Sequence, residues 1–307
     1  MRFRAMFPQS PMLMSGWHGK RTRWRWALFH MSGRICRRLG LIMMDEMKRP
    51  DNWHGLKDEM LWQFQNGPFS RLLISTMHFL AYHFVLRRRT NSTTRAAGMH
   101  LTVRDTVFHP RRFISSERFV EFIDTLDLKG KLVIDVGTGT GILAIAAARV
   151  GAETVIATDI NPNAVLSVPE NACGNGVADR VTAVCMDLLS GFVASRLFDV
   201  ILANLPKHAQ EPRDLADRGW HGGSSHRYIT PLFDQAYERL RPNGQLYVML
   251  SSHSDLDLIE KRLEQAGFSF RIAKRYSIFV DSFILYECTP WRASSTPGFR
   301  LTHERAN

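Results

Sequence analysis

Four short stretches of this sequence carry side chains suited to chemistry. The run Val133-Ile134-Asp135-Val136-Gly137-Thr138-Gly139-Thr140-Gly141 sets an acid two residues ahead of three alternating glycines. Glycines at that spacing let a chain turn tightly from strand to helix and leave no Cβ between the backbone and a ligand. Asp159 follows 22 residues after Gly137, where the next strand should end, and there it can take both hydroxyls of a ribose. Asp187 stands just beyond a third strand, placed to accept the exocyclic amine of an adenine. Ala203-Asn204-Leu205-Pro206-Lys207 closes a fourth strand with an amide, a turn and a cation.

Taken alone, the first two features make a general nucleoside site. A dinucleotide site spaces its glycines G-x-G-x-x-G, so that a pyrophosphate sits on the helix N-terminus. The spacing here is G-x-G-x-G, and its ligands would be carboxylates. These suit a molecule bearing an ammonium and a sulfonium better than one bearing two phosphates. A nicotinamide oxidoreductase would also need a proton-donating Tyr–Lys or His pair, which the sequence does not offer.

The elements that must hold these residues follow from periodicity. Short apolar runs at Lys131–Val136, Thr154–Thr158, Val181–Cys185, Phe198–Ala203 and Gln245–Ser251 predict strands. Ile142–Val150, Asn163–Gly174, Pro231–Leu240 and Asp255–Ala266 predict the helices between them, with a turn at Arg241-Pro242-Asn243-Gly244. Phe268–Tyr276 and Ile278–Cys288 predict two closing strands. Ahead of this core, Leu101–Phe108 alternates like one strand, Ser116–Leu126 like a helix, and Asp58–Leu86 like a helix apolar nearly all round. The expected fold is α/β: a Rossmann-like, doubly wound, mostly parallel seven-stranded sheet with an antiparallel closing strand. A basic helical extension precedes it. The expected division is a basic extension over 1–57, a helical and strand segment over 58–112, the α/β domain over 113–288 and a loose tail over 289–307.

The stretch from about Thr102 to Cys288 resembles the class I S-adenosylmethionine-dependent methyltransferases. Asp135 through Gly141 match their first motif, Asp159 the ribose acid, and Asp187-Leu188 the adenine-side motif. The run Asp159-Ile160-Asn161-Pro162-Asn163-Ala164, with Asn171 and Asn175-Gly176, is similar to the release-factor glutamine and ribosomal-protein methyltransferases, as is Gly222-Gly223-Ser224-Ser225. The resemblance implies S-adenosylmethionine as cofactor, held by Asp135, Gly137, Thr138, Gly139, Gly141, Asp159, Ile160, Asp187, Leu188 and Asn204. It implies Asn204 and Pro206 as the catalytic pair and a protein, glutamine-like nitrogen or a small molecule as acceptor. In the glutamine and adenine branches the motif reads Asn-Pro-Pro-aromatic, and its ring stacks on the amide or base. Here Leu205 replaces the first proline and Lys207 the ring, so Lys207 is expected to meet an anionic group on the acceptor. A nucleic-acid nitrogen methyltransferase and a non-catalytic binder with the cofactor fold are the competing readings. His208, His221 and His226 are expected as solvated loop side chains.

Composition limits the remaining choices. The chain has 307 residues, 45% of them hydrophobic, which excludes wholesale disorder. Its longest apolar candidate, Leu72–Leu86, falls short of the roughly 20 residues a spanning helix needs. Cys36, Cys173, Cys185 and Cys288 show no zinc spacing, so no metal is expected. The formal charge of +11 is divided unevenly: residues 1–112 hold 20 Lys+Arg and 6 Asp+Glu, the rest 20 and 23. A basic arm on a slightly acidic domain predicts an anionic partner, whether RNA, ribosome or membrane surface. The expected location is the cytoplasm, with a peripheral membrane position as the variant.

Overall fold

A computed structural model describes residues 91–110, 114–278 and 281–291. The chain divides into two compact units; the first, residues 1–59 with Asn307, lies outside the described residues. So do the helix expected over Asp58–Leu86, Cys36 and the tail beyond residue 291.

In the second unit, a hairpin of β1 (Ser92–Ala96) and β2 (Met99–Val103) precedes α1 (Ser115–Ile123). Then come β3 (Leu132–Val136), α2 (Ile142–Arg149), β4 (Thr154–Asp159), α3 (Pro162–Gly174), β5 (Val181–Cys185) and β6 (Phe198–Asn204). The chain finishes with α4 (Pro231–Arg239), β7 (Leu240–Ser251), α5 (Leu256–Gln265), β8 (Phe268–Ile278) and β9 (Asp281–Pro290). Seven strands form one sheet in the order β5-β4-β3-β6-β7-β9-β8. β9 runs antiparallel to both its neighbours, and the other pairs are parallel. This is the doubly wound sheet the sequence predicts.

The apolar strand runs are explained by burial on both faces. Alternate residues feed two cores: Val133, Val155, Val200, Leu202 and Met249 pack under α1, α2 and α3. Ile134, Val136, Ile201, Ala203 and Val248 pack under α4 and α5. Strand order reverses between β3 and β6, and open α/β sheets bind ligands at such a switch, beyond the carboxyl ends of the strands. No helix among the described residues is long and apolar enough to cross a membrane.

Two local expectations are corrected. Leu101–Phe108 is not one strand. The chain reverses at Ala97 (φ 46°) and Gly98 (φ 70°), both left-handed, so β2 pairs with a short polar strand before it. Alanine at the first turn position conceals this hairpin from a sequence reader. After Val103 the chain leaves the extended form, and Thr106 takes φ 63°. The turn at 241–244 lies within the span of β7, where the register against β6 jumps from Phe198↔Leu240 to Val200↔Gln245.

Candidate active site

Asp135 is central to the glycine turn, but not as a wall of the cleft. It faces the α2 side of the sheet and is fully buried. One carboxylate oxygen, Oδ2, accepts from Thr138 Oγ1 at 2.6 Å and from the backbone N–H of Ala144 at 3.2 Å. The N-cap of α2 is Gly141, which has no side chain to offer. Asp135 therefore supplies the acceptor that the first turn of the helix lacks, where an anion is also favoured by the helix dipole. Its other oxygen, Oδ1, is buried with no hydrogen-bond partner. Burial pushes the Asp135 carboxyl up to about 7, against the two hydrogen bonds that pull it down.

The glycines divide by role. Gly139 (φ 57°) would place a Cβ with nothing within 4 Å, so this part of the turn faces open space. A Cβ on Gly141 (φ 83°) would lie 3.2 Å from Val168 Cγ2. Gly141 is thus needed for the left-handed cap and the close approach of α2 to α3, and it does not line the cleft.

One cavity at the carboxyl edge of β3, β4 and β6 collects most of the expected residues. It is lined by Gly137, Thr138 and Gly139, by Asp159 and Ile160, by Asp187 and Leu188, and by Asn204, Pro206 and Lys207. Asp159 ends β4, and both its oxygens hold backbone: Oδ2 accepts from Gly139 N–H at 2.9 Å and Oδ1 from Asn161 N–H at 2.9 Å. Burial raises its pKa against those same bonds. Leu188 sits at φ 51°, a rare state for a branched side chain. Its neighbour Leu189 donates its N–H to Gln235 Oε1 at 2.8 Å, which pins the turn to α4.

The asparagines of the matched run hold elements together. Asn161 caps α3 by accepting from Asn163 N–H, and its Nδ2 donates to Thr106 O at 3.0 Å. The Asn163 amide reaches Asp105 and Thr106. Asn171 accepts from Thr102 N–H at 2.7 Å and donates to Thr102 O and Thr140 O. They fix the hairpin and the 104–110 loop, and that loop brings Thr106, Val107 and Phe108 into the cavity wall.

On the other side of the cavity, Asn204 Nδ2 donates to Ser115 Oγ at 3.4 Å and Ser116 Oγ at 3.2 Å. The Lys207 ammonium lies 4.0 Å above the ring of Phe283. The ring missing from position 207 has counterparts elsewhere: Trp220 lines the cavity against Phe108, their centroids 5.9 Å apart, and Tyr228 lines it too. The sequence reading missed Ser115, Ser116, Phe108, Trp220 and Tyr228. Only the Asn-Leu-Pro-Lys departure hinted that a ring had to come from outside the motif.

The histidine expectation is corrected. His221 is 9% exposed and His226 fully buried. The loop after Lys207 folds back on itself: His208 N–H donates to Trp220 O at 3.0 Å and Gly222 N–H to His208 O at 2.8 Å. His226 Nε2 accepts from Asp255 N–H at the start of α5, and burial holds its pKa below the usual histidine range.

Residues 117–209, under a third of the chain, match the family described as ribosomal protein L11 methyltransferase (PrmA). The ribosomal protein L11 methyltransferase of Vibrio vulnificus is 48% identical over 87 residues, 28% of each chain. That of Actinobacillus succinogenes is 46% identical over 86 residues, again 28% of each. The match thus spans little more than a quarter of these relatives. A protein from Streptococcus mutans described as a SAM-dependent methyltransferase shares the fold at 14% identity and a TM-score of 0.50, over 64% of this chain and 55% of its own. In the segment from 117 to 209 the chain is similar to the ribosomal protein L11 methyltransferases, and in its fold it is similar to the Streptococcus mutans protein.

Proposed function

We propose that the chain is an S-adenosylmethionine-dependent methyltransferase acting on a protein nitrogen, with ribosomal protein L11 as the first acceptor to test. The observation that carries this reading is the gathering of the glycine turn, Asp159, Asp187 and Asn204 into one cleft from four strand ends. The residues present fit the cofactor: the turn at Gly139 faces open space, and Asp135 keeps a buried, unpartnered oxygen beneath it. In this reading Asp159 and Ile160 would hold the ribose, Asp187 and Leu188 the adenine, and Gly137, Thr138 and Gly139 the amino-acid end. When bound, the cofactor supplies an electrophilic methyl on a sulfonium.

The chain's own contribution is placement, which can be worth up to ~7–11 kcal/mol of barrier. Asn204 Oδ1 and the Leu205 carbonyl accept hydrogens from the acceptor nitrogen and turn its lone pair toward the cofactor. Pro206 fixes that turn, and Phe108 and Trp220 keep water from the acceptor side. The functional unit is the domain over 113–288 with the hairpin that Asn171 ties to it. Calorimetry of the full chain against S-adenosylmethionine, S-adenosylhomocysteine and NAD tests the cofactor, and labelled methyl transfer to purified ribosomal protein L11 tests the acceptor. Tighter binding of NAD, or no binding of S-adenosylhomocysteine, refutes the reading.

The charge split supports one further element. A net +14 over residues 1–112 suits an anionic partner in the cytoplasm: ribosomal RNA first, an anionic membrane surface second. Binding of the full chain to RNA should weaken steeply as salt rises. Equal affinity at low and high salt counts against it.

A further inference from the structure

The two edges of the sheet are finished differently. β8 carries Arg271, Lys274 and Arg275, and its register against β9 shifts between Ile272 and Lys274. Cations and bulges are the means by which natural sheets keep an edge from pairing with another chain. β5, at the opposite edge, reads Val181-Thr182-Ala183-Val184-Cys185, with no charge, no proline and no break in register. Among the described residues its one strand neighbour is β4. Two backbone bonds show which groups of β5 this leaves over: Val155 N–H donates to Arg180 O at 2.8 Å, and Met186 N–H to Asp159 O at 3.0 Å. Alternate residues of a parallel strand serve the same neighbour, so Thr182 and Val184 bond to β4 as well. The N–H and C=O groups of Val181, Ala183 and Cys185 therefore point away from the sheet. α3 lies beside this edge, with Val168 and Ala172 in the same core as Val181. Its residues Leu166 (54% exposed), Pro169 and Cys173 form an exposed uncharged stripe at i, i+3 and i+7. The helix's single charge, Glu170, is paired with Arg104.

We propose that two copies of this chain join antiparallel along β5, about a two-fold axis at Ala183, so that the sheet of one copy continues into the other. The outward residues are symmetric about that point: Ala183 meets its own counterpart, and Val181 meets the partner's Cys185. Each exchanges both of its backbone bonds across the seam, and no outward donor or acceptor is left over. Thr182 lies opposite the partner's Val184, an uncharged β-branched pair of the kind that favours antiparallel strands. A two-fold axis perpendicular to the sheet keeps both α3 helices on one face, flanking the seam. Charge separates the two edges of the sheet. Two β8 edges brought together would oppose their cations, whereas β5 brings none. The seam uses no residue that lines the cleft, so it stands apart from the methyltransferase reading.

Sedimentation of the full chain from about 1 to about 100 µM should show a monomer–dimer equilibrium. Ala183→Pro removes an N–H that β4 does not use, so the strand should keep its place in the sheet. The dimer dissociation constant should rise about thirtyfold, because each copy loses one bond across the seam. Thr182→Lys, at an exposed position, is the second variant and should weaken association about tenfold by setting two ammoniums beside the axis. Lys274→Thr on the other edge should change nothing. Amide hydrogen exchange read by NMR reports the register. Val181, Ala183 and Cys185 should gain protection as the concentration rises, while Thr182 and Val184 should be protected at every concentration. A monomer throughout the range overturns the proposal. So does a dimer that survives both β5 variants, one that Lys274→Thr abolishes, or protection that fails to alternate along β5.

Discussion

The two sides of the cleft are assembled differently. On the side proposed for the cofactor, each residue stands at a parallel strand's carboxyl end or within two or three residues of it: Gly137 after β3, Asp159 on β4, Asp187 after β5. On the acceptor side only Asn204, Leu205, Pro206 and Lys207 follow a strand. Phe108, Trp220, His221 and Tyr228 arrive on the 104–110 loop and the long connection from β6 to α4, whose helical pieces are three residues each. A site edge made by a sheet inherits its geometry from strand register. A site edge made by loops depends on side chains that clamp them, such as Asn161, Asn163 and Asp217.

That contrast can be broken in order of expected effect. If Asp135 serves the cofactor side as a buried helix cap, its charge should be costly to the fold. Its pKa is raised from an ordinary 3.8 to about 7, so the folded state binds a proton more tightly than the unfolded one. The contribution is full below about pH 4 and is lost as pH rises through 7. Denaturant unfolding should show this decline, on the order of 4 kcal/mol, in the parent protein and not in Asp135→Asn. Parallel stability curves for the two would show that Asp135 is already ionised at low pH.

Next is Asp159, which holds Gly139 and Asn161 in this structure and is assigned the ribose. Asp159→Ala should weaken S-adenosylhomocysteine binding by roughly 2–4 kcal/mol in calorimetry. Unchanged affinity would reduce the acid to a clamp on the turn. Across the cleft, Asn204→Ala should lower turnover about a hundredfold, roughly 2.7 kcal/mol, and leave cofactor affinity within twofold. Full turnover would make the motif a strand-ending turn and nothing more. The smallest effect is expected at Lys207, whose ammonium rests on Phe283. Lys207→Glu should raise the acceptor KM about tenfold, near 1.4 kcal/mol, if an anionic group accompanies the acceptor nitrogen. An unchanged KM would leave the lysine a purely structural cation.

The parts legible in the sequence are those whose signal is local. Strand runs such as Val133–Val136 and Val200–Ala203 must be apolar throughout because both faces are covered, and that writes the sheet into composition. The glycine turn and Asp159 are legible for the same reason: backbone conformation and strand ends fix residue type at fixed spacing. Even there, the sequence could not separate Gly139, which faces open space, from Gly141, which faces Val168. Nor could it show that Asp135 caps α2 from beneath the turn. The β1–β2 hairpin was hidden because its turn uses Ala97 where a stronger signal would be asparagine or aspartate. The acceptor wall was hidden because its contacts join residues far apart in the chain. Asn161 and Thr106 are separated by 55 positions, Asn204 and Ser116 by 88. Register and conformation act between neighbours and leave a periodic trace in the sequence. A loop held by a hydrogen bond across such distances leaves only single polar residues, and their partners exist only once the chain has folded.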